Sequence, residues 1–322
     1  MDKFDSLFEQ SGLSLDRLRN FCLIAEAGGL SKATGGDPGR MSLFSRQVKE
    51  LEGFFGVELT RRQGKGIAVT AEGHRLALLV REHLIGLEGF QRTCRARPVR
   101  ITFASGNSLL EWVVLPRLRR LHDSLPGVHL DVVSLRTHDI VARLRELTLD
   151  FGLIREDAVK GAGAPLMCKQ LFALSYSLFA PHALTQSHNS GTLAGLRKLL
   201  GSVPLAVPAA GQFREQLERS AAKAHCTLRL DLTCSSFTQA ASAVKSGCYG
   251  AILPSIAAAV FDDAHVAAFP VSFLKSYERT VCLAWNPRMI NVRLGALQAA
   301  EALHQVLKTT EVPGGERKPR MD

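Results

Sequence analysis

Five consecutive residues, Gly35-Gly36-Asp37-Pro38-Gly39, interrupt the chain directly before an amphipathic segment. Glycine adopts backbone angles closed to other residues and proline starts or ends helices, so this run predicts a sharp turn. After the turn, apolar residues recur at helical spacing and define one buried face, formed by Phe44, Val48, Leu51 and Phe55. Another face is polar and basic, with Ser42, Ser45, Arg46 and Lys49. A short helix, a turn and a second helix of this kind predict a helix-turn-helix.

The flanking segments extend this prediction to a small domain. A first helix is expected from Leu15 to Ala27, and Ser31 is suited to cap a second helix of about one turn. Asp37 is suited to cap the third helix, whose reading segment we place at 40–55, with Pro38 in its first position. Two β-prone runs then surround the turn Gln63-Gly64-Lys65-Gly66 and predict a wing. Basic residues cluster near the wing tip: Arg61, Arg62 and Lys65.

A long helix is predicted after Thr70, over residues 71–97. Its apolar residues step by four or three positions and form a short heptad seam, made of Leu76, Val80, His83, Leu87 and Phe90. Packing within its own domain would explain the seam as well. Because a helix of this length joins two domains, we favour pairing with a second copy of the chain.

Composition and charge narrow the class of protein. The 322 residues suffice for two or three domains, and the seven scattered cysteines lack a C-x-x-C pair, which favours reduced thiols in the cytoplasm. No signal peptide or membrane-spanning run is visible. The net charge is +10, but residues 1–97 contribute only +3, so geometry rather than charge has to support nucleic-acid binding.

The N-terminal residues resemble the winged helix-turn-helix of LysR-type transcriptional regulators. The resemblance runs without gaps from Phe21 to Gly73, and its landmarks include Ala25-Glu26, Ser45-Arg46-Gln47, Leu51-Glu52, Gly56-Val57 and Thr70 with Gly73. Two departures stand out. Asp37 occupies a position where the family has a buried leucine, and Arg40-Met41-Ser42 replaces its usual Ser-Gln-Pro. The Gly-Gly-Asp-Pro-Gly turn therefore predicts an unusual base preference, or a reader that has degenerated.

The C-terminal part alternates short apolar runs with helical segments, which predicts an α/β fold with mostly parallel sheets. The resemblance implies two Rossmann-like lobes, as in periplasmic solute-binding proteins, with a ligand cleft between them. The implied domains are the winged helix-turn-helix (1–70), the linker or dimerisation helix (71–97) and the effector domain (98–308). Lobe I takes 98–173 and 271–308, lobe II takes 174–270, and a disordered tail is expected at 309–322.

Ligands of open α/β sheets bind beyond the carboxyl ends of strands, near free helix N-termini. This rule selects eight candidate effector contacts: Ser105, Asn107, Ser108, Thr137, Arg155, Ser235, Ser236 and Phe237. Thr137 and Arg155 also stand where the family often places effector contacts. Hydroxyl groups with one arginine suit a small carboxylate. Serine and asparagine also cap helices whether or not a ligand binds, so a purely structural role stays open.

No catalytic or metal-binding constellation assembles from the motifs, since H-E-x-x-H, G-x-S-x-G and a phosphate loop are all missing from the sequence. We therefore expect a protein that is not an enzyme and has no metal or other cofactor. The favoured function is a ligand-responsive, sequence-specific transcription regulator that binds double-stranded DNA as a homodimer or homotetramer, with RNA polymerase as a further implied partner. The alternative is a small-molecule sensor whose degenerate helix-turn-helix no longer reads an operator.

Overall fold

The computed structural model describes residues 5–64, 66–161, 166–185, 192–209 and 211–308. The chain forms two compact units. The first runs to Val99 and includes Arg145–Thr148 and Arg288–Gly295, and the second contains the remaining residues. The wing residue Lys65 and the tail 309–322 lie outside the described residues. Among the helices that are described, none has both the length and the apolar character required to cross a membrane.

The first unit is mainly helical, with one antiparallel two-stranded sheet. Its elements are α1 (Asp5–Phe8), α2 (Leu15–Ala27), α3 (Leu30–Thr34), α4 (Pro38–Phe55), β1 (Thr60–Gln63), β2 (Gly66–Val69) and α5 (Ala71–Cys94). The order and type of these elements confirm the predicted winged helix-turn-helix. The long helix ends at Cys94, three residues before the predicted end at 97.

Side-chain caps explain where α2 and α5 begin, whereas the predicted Ser31 cap is wrong, because α3 begins at Leu30 after Gly29 and has no side-chain cap. Ser14 Oγ accepts a hydrogen bond of 3.2 Å from the Arg17 amide at the start of α2. Thr70 Oγ1 accepts one of 3.0 Å from the Gly73 amide at the start of α5. Each cap satisfies a helix-terminal N–H group that would otherwise lack a partner in the helix.

The break before α4 is a turn through the left-handed region of backbone space. Gly35 and Gly36 have φ values of +64° and +80°, which non-glycine residues rarely adopt. Asp37 follows and its Oδ1 accepts a hydrogen bond of 2.8 Å from the Arg40 amide, so α4 already begins at Pro38. Aspartate at the family's leucine position therefore serves as a helix cap.

The core of the first unit forms where α2 packs against α4 and α5. Its largest fully buried side chains are Phe21, Ile24, Leu51 and Leu59. Burying one such side chain contributes roughly 1.5–3 kcal/mol to stability. This core holds α4 with Phe44, Val48 and Leu51 directed inward. The prediction that Phe55 lies on the same buried face is wrong, because Phe55 is the last residue of α4 and is 36% exposed.

Strands and helices alternate from residue 99 onward. The strands are β3 (Val99–Ser105), β4 (Val128–Ser134), β5 (Phe151–Arg155), β6 (Met167–Leu174), β7 (Tyr176–Pro181), β8 (Leu205–Pro208), β9 (Leu230–Cys234), β10 (Ala251–Pro254), β11 (Val266–Pro270) and β12 (Arg279–Trp285). The α-helices are α6 (Asn107–Leu109), α7 (Leu118–Ser124), α8 (Thr137–Arg145), α9 (Glu156–Lys160), α10 (His182–Thr185), α11 (Leu193–Ser202), α12 (Gln212–Lys223), α13 (Phe237–Lys245), α14 (Pro287–Val292) and α15 (Ala296–Lys308).

These strands build the sheets of two lobes, which confirms the two-lobed α/β prediction. The first lobe has a five-stranded sheet in the order β4-β3-β5-β12-β6. The second lobe combines the order β10-β7-β11 with the pair β8-β9, and a bridge from Leu205 to Gly250 connects the two. Separate apolar clusters fill the lobes, one around Ile140 and Leu144 and the other around Leu199 and Leu217.

The prediction of mostly parallel sheets is wrong. β3 pairs with β5 and β8 pairs with β9 in parallel, but β12 is antiparallel to both β5 and β6. β7 is likewise antiparallel to β10 and β11. The chain leaves the first sheet after β6 and returns to it at β12, instead of repeating a strand-helix-strand crossover. The returning strand therefore enters the sheet from the opposite direction.

Gly73 provides a stability test of the first unit. A Cβ at this position would overlap the Leu59 carbonyl oxygen and lie 2.7 Å from Val69 Cγ1. We expect Gly73→Ala to lower the free energy of unfolding by about 1–3 kcal/mol, the usual cost of overpacking. Gly53→Ala is the control, because an added Cβ there meets nothing within 4 Å, and alanine should stabilise α4 by about 0.5–1 kcal/mol. Equal unfolding midpoints for the two variants in urea would contradict this packing.

Candidate DNA-binding surface and effector site

The outer face of α4 presents three of the predicted DNA-binding side chains together. Ser42, Arg46 and Lys49 are exposed and lie on the side of the helix away from Phe44 and Val48. Ser45 is half-buried and lines a cavity of about 80 Å³ beneath the helix, so its hydroxyl is less accessible than predicted. Leu43 is 39% exposed next to Ser42, and its apolar side chain was not selected by the sequence reasoning.

Arg40 lies apart from this group. Its guanidinium carbon is 5.7 Å from the centre of the Phe44 ring, a cation–π contact along the first turns of α4. The side chain therefore leaves the helix near the core-facing edge, whereas Arg46 leaves it on the outer face. The structure does not bring these two arginines to one patch of α4.

The charged neighbours of Arg46 leave it available to a ligand. The side chain is 71% exposed, and its Nε is 3.9 Å from Glu50 Oε1, too far for a hydrogen bond. Glu50 is held from the other side by Arg17 at 2.5 Å. Gln47, in contrast, accepts a hydrogen bond of 2.9 Å from Asn20 and is engaged inside the unit.

One carboxylate fastens the wing to α4. Glu52 Oε1 accepts hydrogen bonds of 2.9 Å from the amides of Leu59 and Thr60, and one of 3.1 Å from the Thr60 hydroxyl. Because β1 begins at Thr60, this carboxylate sets the position of the wing relative to the helix. The sequence marked Glu52 only as part of a motif and not as an anchor.

The two wing arginines point in different directions. Arg61 and Arg62 are both exposed and stand opposite Ala68 and Ile67 in the β1-β2 register. Successive side chains of a strand project to opposite faces, so the two guanidinium groups lie on opposite faces of the wing. The described part of the wing thus carries one cation on each face.

The predicted seam of α5 divides into two halves. Val80 is buried in the core of the first unit and Leu76 packs against that core. Leu87 and Phe90 are 54% and 71% exposed, and Leu79, at 49%, continues the same stripe toward the N-terminus. The stripe Leu79-His83-Leu87-Phe90 is therefore the part of the helix that is open to a partner.

In the first lobe, the residues predicted to contact an effector are partly engaged with the protein. Ser105 is fully buried at the end of β3, and its Oγ donates a hydrogen bond of 2.8 Å to the Leu153 carbonyl. Asn107 is exposed and accepts a hydrogen bond from the Ser134 hydroxyl. Ser108 and Thr137 are half-buried at the first turns of α6 and α8.

In the second lobe, the predicted residues surround the start of α13. Ser236 Oγ accepts a hydrogen bond of 3.2 Å from the Gln239 amide and caps the helix, and the Ser235 amide donates to Gln239 Oε1 at 2.8 Å. Phe237 is half-buried with its ring 4.8 Å from that of Phe213. Helix α6, which carries Asn107 and Ser108, is in contact with α13, which begins at Phe237.

Arg155 connects the two lobes. It closes β5 in the first lobe, and its Nη2 donates a hydrogen bond of 2.9 Å to Oε1 of Gln212, the first residue of α12 in the second lobe. Its Nε also lies 3.5 Å from Asp157 Oδ1. Sequence reasoning selected Arg155 but missed Gln212 and Asp157, because nothing in the sequence reveals that α12 faces the end of β5.

Several aromatic side chains lie beside Arg155. Tyr176 stacks on Phe213 with ring centres 4.9 Å apart and lies 5.8 Å from Tyr277. Burial raises the pKa of Tyr176 far above its ordinary value, with Tyr277 adding to the effect, so the phenol stays neutral. The Arg279 guanidinium lies 4.0 Å above the Tyr277 ring and is a second cation that sequence reasoning missed.

Comparison with known proteins identifies the family of this chain. Residues 96–309 match the family described as the LysR substrate binding domain. The HTH-type transcriptional regulator DgdR of Burkholderia cepacia is 27% identical over 146 residues, which is 44% of this chain. The aligned part spans about half, 49%, of that curated relative.

Solved structures share the fold over nearly the whole chain. A full-length OxyR variant from Pseudomonas aeruginosa has a TM-score of 0.64 at 20% identity, covering 95% of this chain and 99% of that chain. Full-length LysG from Corynebacterium glutamicum, with bound effector Arg, has a TM-score of 0.59 at 16% identity, covering 92% and 98%. Since the family match covers most of the chain, and the winged helix-turn-helix and two-lobed domain follow in the expected order, the chain belongs to the LysR family.

Proposed function

We propose that the protein is a ligand-responsive transcription regulator that binds specific double-stranded DNA. The observation that carries this proposal is the outer face of α4, where Ser42, Arg46 and Lys49 are exposed beside an anchored wing. An exposed helix of this kind enters the major groove, where arginine donates two hydrogen bonds to guanine and serine bonds to any base. The curated relative DgdR is named as a transcriptional regulator, which supports the same function and a chain that is not an enzyme.

Base reading and phosphate binding are divided between helix and wing in this proposal. Arg46 and Ser42 read base edges, with Ser45 reaching the groove from the flank of the helix. Arg40 at the helix start, Lys49, Arg61, Arg62 and Lys65 bind phosphates. Phosphate contacts set the register of a protein on DNA and base contacts set its sequence preference.

The proposed domain boundaries follow the sequence interpretation. The reader takes residues 1–70, the linker helix 71–97 and the effector domain 98–308, with lobe II at 174–270. The exposed apolar stripe on α5 favours pairing with a second copy of the chain, since Leu87 and Phe90 otherwise remain in water. Two paired readers predict half-sites related by two-fold symmetry. A dimer or tetramer of this kind acts on DNA in the cytoplasm, with RNA polymerase as the partner that it regulates.

The effector site lies between the lobes, around Arg155. Its candidate contacts are Ser105, Asn107, Ser108 and Thr137 on the first lobe and Ser235, Ser236 and Phe237 on the second. Helix α6, which carries Asn107 and Ser108, contacts α13, which begins at Phe237, and Arg155 already binds across the lobes to Gln212. One guanidinium beside hydroxyl groups and apolar rings suits a small carboxylate. A ligand bound there changes the closure of the lobes and thereby the arrangement of the DNA-bound oligomer.

The DNA-binding half of the proposal is tested with a matched pair of arginine variants. Arg46→Ala should weaken binding to a duplex enriched from a random library by about 1–3 kcal/mol, the usual value of a lost bidentate base contact. Arg219→Ala is the control, because Arg219 on α12 is 66% exposed and pairs with Glu215 four residues earlier, much as Arg46 pairs with Glu50. Equal affinities of Arg46→Ala and Arg219→Ala, measured by fluorescence anisotropy, would remove Arg46 from the reader.

The effector half is tested with carboxylates as probes. Arg155→Ala should reduce the binding of benzoate and acetate about tenfold, because a charge-assisted hydrogen bond is lost, and should leave DNA affinity unchanged. Arg229→Ala is the control, since Arg229 belongs to an exposed ion pair with Asp231 at 2.8 Å. Binding is followed as the rise in unfolding temperature at constant ionic strength. Undiminished carboxylate binding by Arg155→Ala would move the effector site elsewhere.

A further inference from the structure

Strand register places a second arginine beside Arg155. Arg155 stands opposite Val281 in the antiparallel pairing of β5 with β12. Arg279 precedes Val281 by two residues, and side chains two apart on a strand project from the same face. Arg155 and Arg279 are therefore diagonal neighbours on one face of the first-lobe sheet, and each side chain is only about a quarter exposed, at 26% and 28%.

A single carboxylate lies between the two guanidinium groups. Asp157 Oδ1 is 3.5 Å from Arg155 Nε, and Asp157 Oδ2 is 3.7 Å from Arg279 Nε. Hydrogen bonds between guanidinium and carboxylate are normally about 2.7–2.9 Å long, so Asp157 provides charge to both arginines without a close bond to either. Its side chain is 51% exposed and has access to water.

The Arg279 guanidinium retains unused binding capacity. Its Nε is buried and has no hydrogen-bond partner among the described residues. Nη1 donates only a long bond of 3.3 Å to the Glu278 carbonyl, and the plane of the group rests on the Tyr277 ring. A buried donor without an acceptor costs stability, and the planar guanidinium fork is suited to receive both oxygens of one carboxylate.

Glu156, the acidic residue next to Asp157, does not neutralise the positive charge of the two arginines. Glu156 Oε1 accepts hydrogen bonds from Gln170 at 3.0 Å and pairs with Lys160 at 3.1 Å. Among the described residues, Asp157 is then the carboxylate that the two arginines share. Two positive groups face one negative group, which leaves one positive charge uncompensated in a partly buried place.

We propose that Arg155 and Arg279 together bind the carboxylate of the effector, and that Asp157 occupies this arginine pair until the effector replaces it. This inference rests on the proposed effector site and assigns its anion-binding group. The incoming carboxylate forms the short hydrogen bonds that Asp157 does not form, including one from the buried Arg279 Nε. Asp157 then moves into the solvent, to which its side chain is already half exposed. Because Arg155 also donates to Gln212 on the second lobe, exchange of its carboxylate partner links ligand binding to the contact between the lobes.

The test compares three variants of the full-length chain with benzoate and acetate as probes. Asp157→Asn removes the internal competitor and keeps the shape of the side chain, so both probes should bind about tenfold more tightly. Arg279→Gln should weaken both about tenfold. Arg279→Lys should also weaken them, because lysine keeps the charge but lacks the planar fork. Asp231→Asn is the control, since Asp231 belongs to a surface ion pair with Arg229, and it should leave binding unchanged.

Calorimetry gives the dissociation constant of each probe for each variant. The unfolding temperature without probe shows whether each variant is folded. Unchanged or weaker binding by Asp157→Asn, in a protein that unfolds at the wild-type temperature, would overturn the exchange. Wild-type affinity in Arg279→Gln would remove Arg279 from the site. If Arg155→Ala alone loses binding, the effector site stands and this inference falls. If neither the wild type nor Asp157→Asn binds a probe, the carboxylate class and the inference are both refuted.

Discussion

The effector domain depends on the return of one strand to the first sheet. β12 inserts between β5 and β6 after the chain has built the second lobe, and it is antiparallel to both neighbours. This pairing completes the first-lobe sheet through backbone hydrogen bonds on both sides of β12. It also places Arg279 two residues beyond the partner of Arg155. Without that register, the proposed ligand site would have one arginine and no shared carboxylate. The strand that completes the sheet therefore also places the second arginine of the proposed site beside the first.

Local physical rules explain the reader unit almost completely. Asp37 caps α4, Gly35 and Gly36 turn the chain, and three of the four residues predicted for the apolar face, Phe44, Val48 and Leu51, are buried. The cap and the turn join residues close in sequence, and the helical spacing marks the buried face, so capping preferences and periodicity predict them. The turn that departs from the family pattern is still followed by a regular α4, which supports a helix-turn-helix that recognises specific DNA.

Contacts between distant residues could not be predicted in the same way. The position of Ser105 at a strand end predicts an effector contact, yet its hydroxyl is buried against Leu153, 48 residues away in sequence. The helical spacing predicts Val80 in a dimer seam, but Val80 packs into the core, since one stripe of a helix does not reveal which neighbour covers it. Arg279 escaped notice because its role depends on strand order, which a single sequence does not contain. The predicted effector residues therefore include both groups open to a ligand and groups that hold the fold together.

The central claim is that a reader with exposed Ser42, Arg46 and Lys49 binds specific DNA as a symmetric oligomer. The most direct measurement is selection of bound duplexes from a random library by the full-length chain, followed by titration of the enriched sequence at two salt concentrations. We expect an enriched motif with two-fold symmetry, and an affinity that falls steeply with salt because phosphate contacts release counterions. A folded, oligomeric protein that enriches no sequence would contradict the account and favour a ligand sensor that no longer reads DNA.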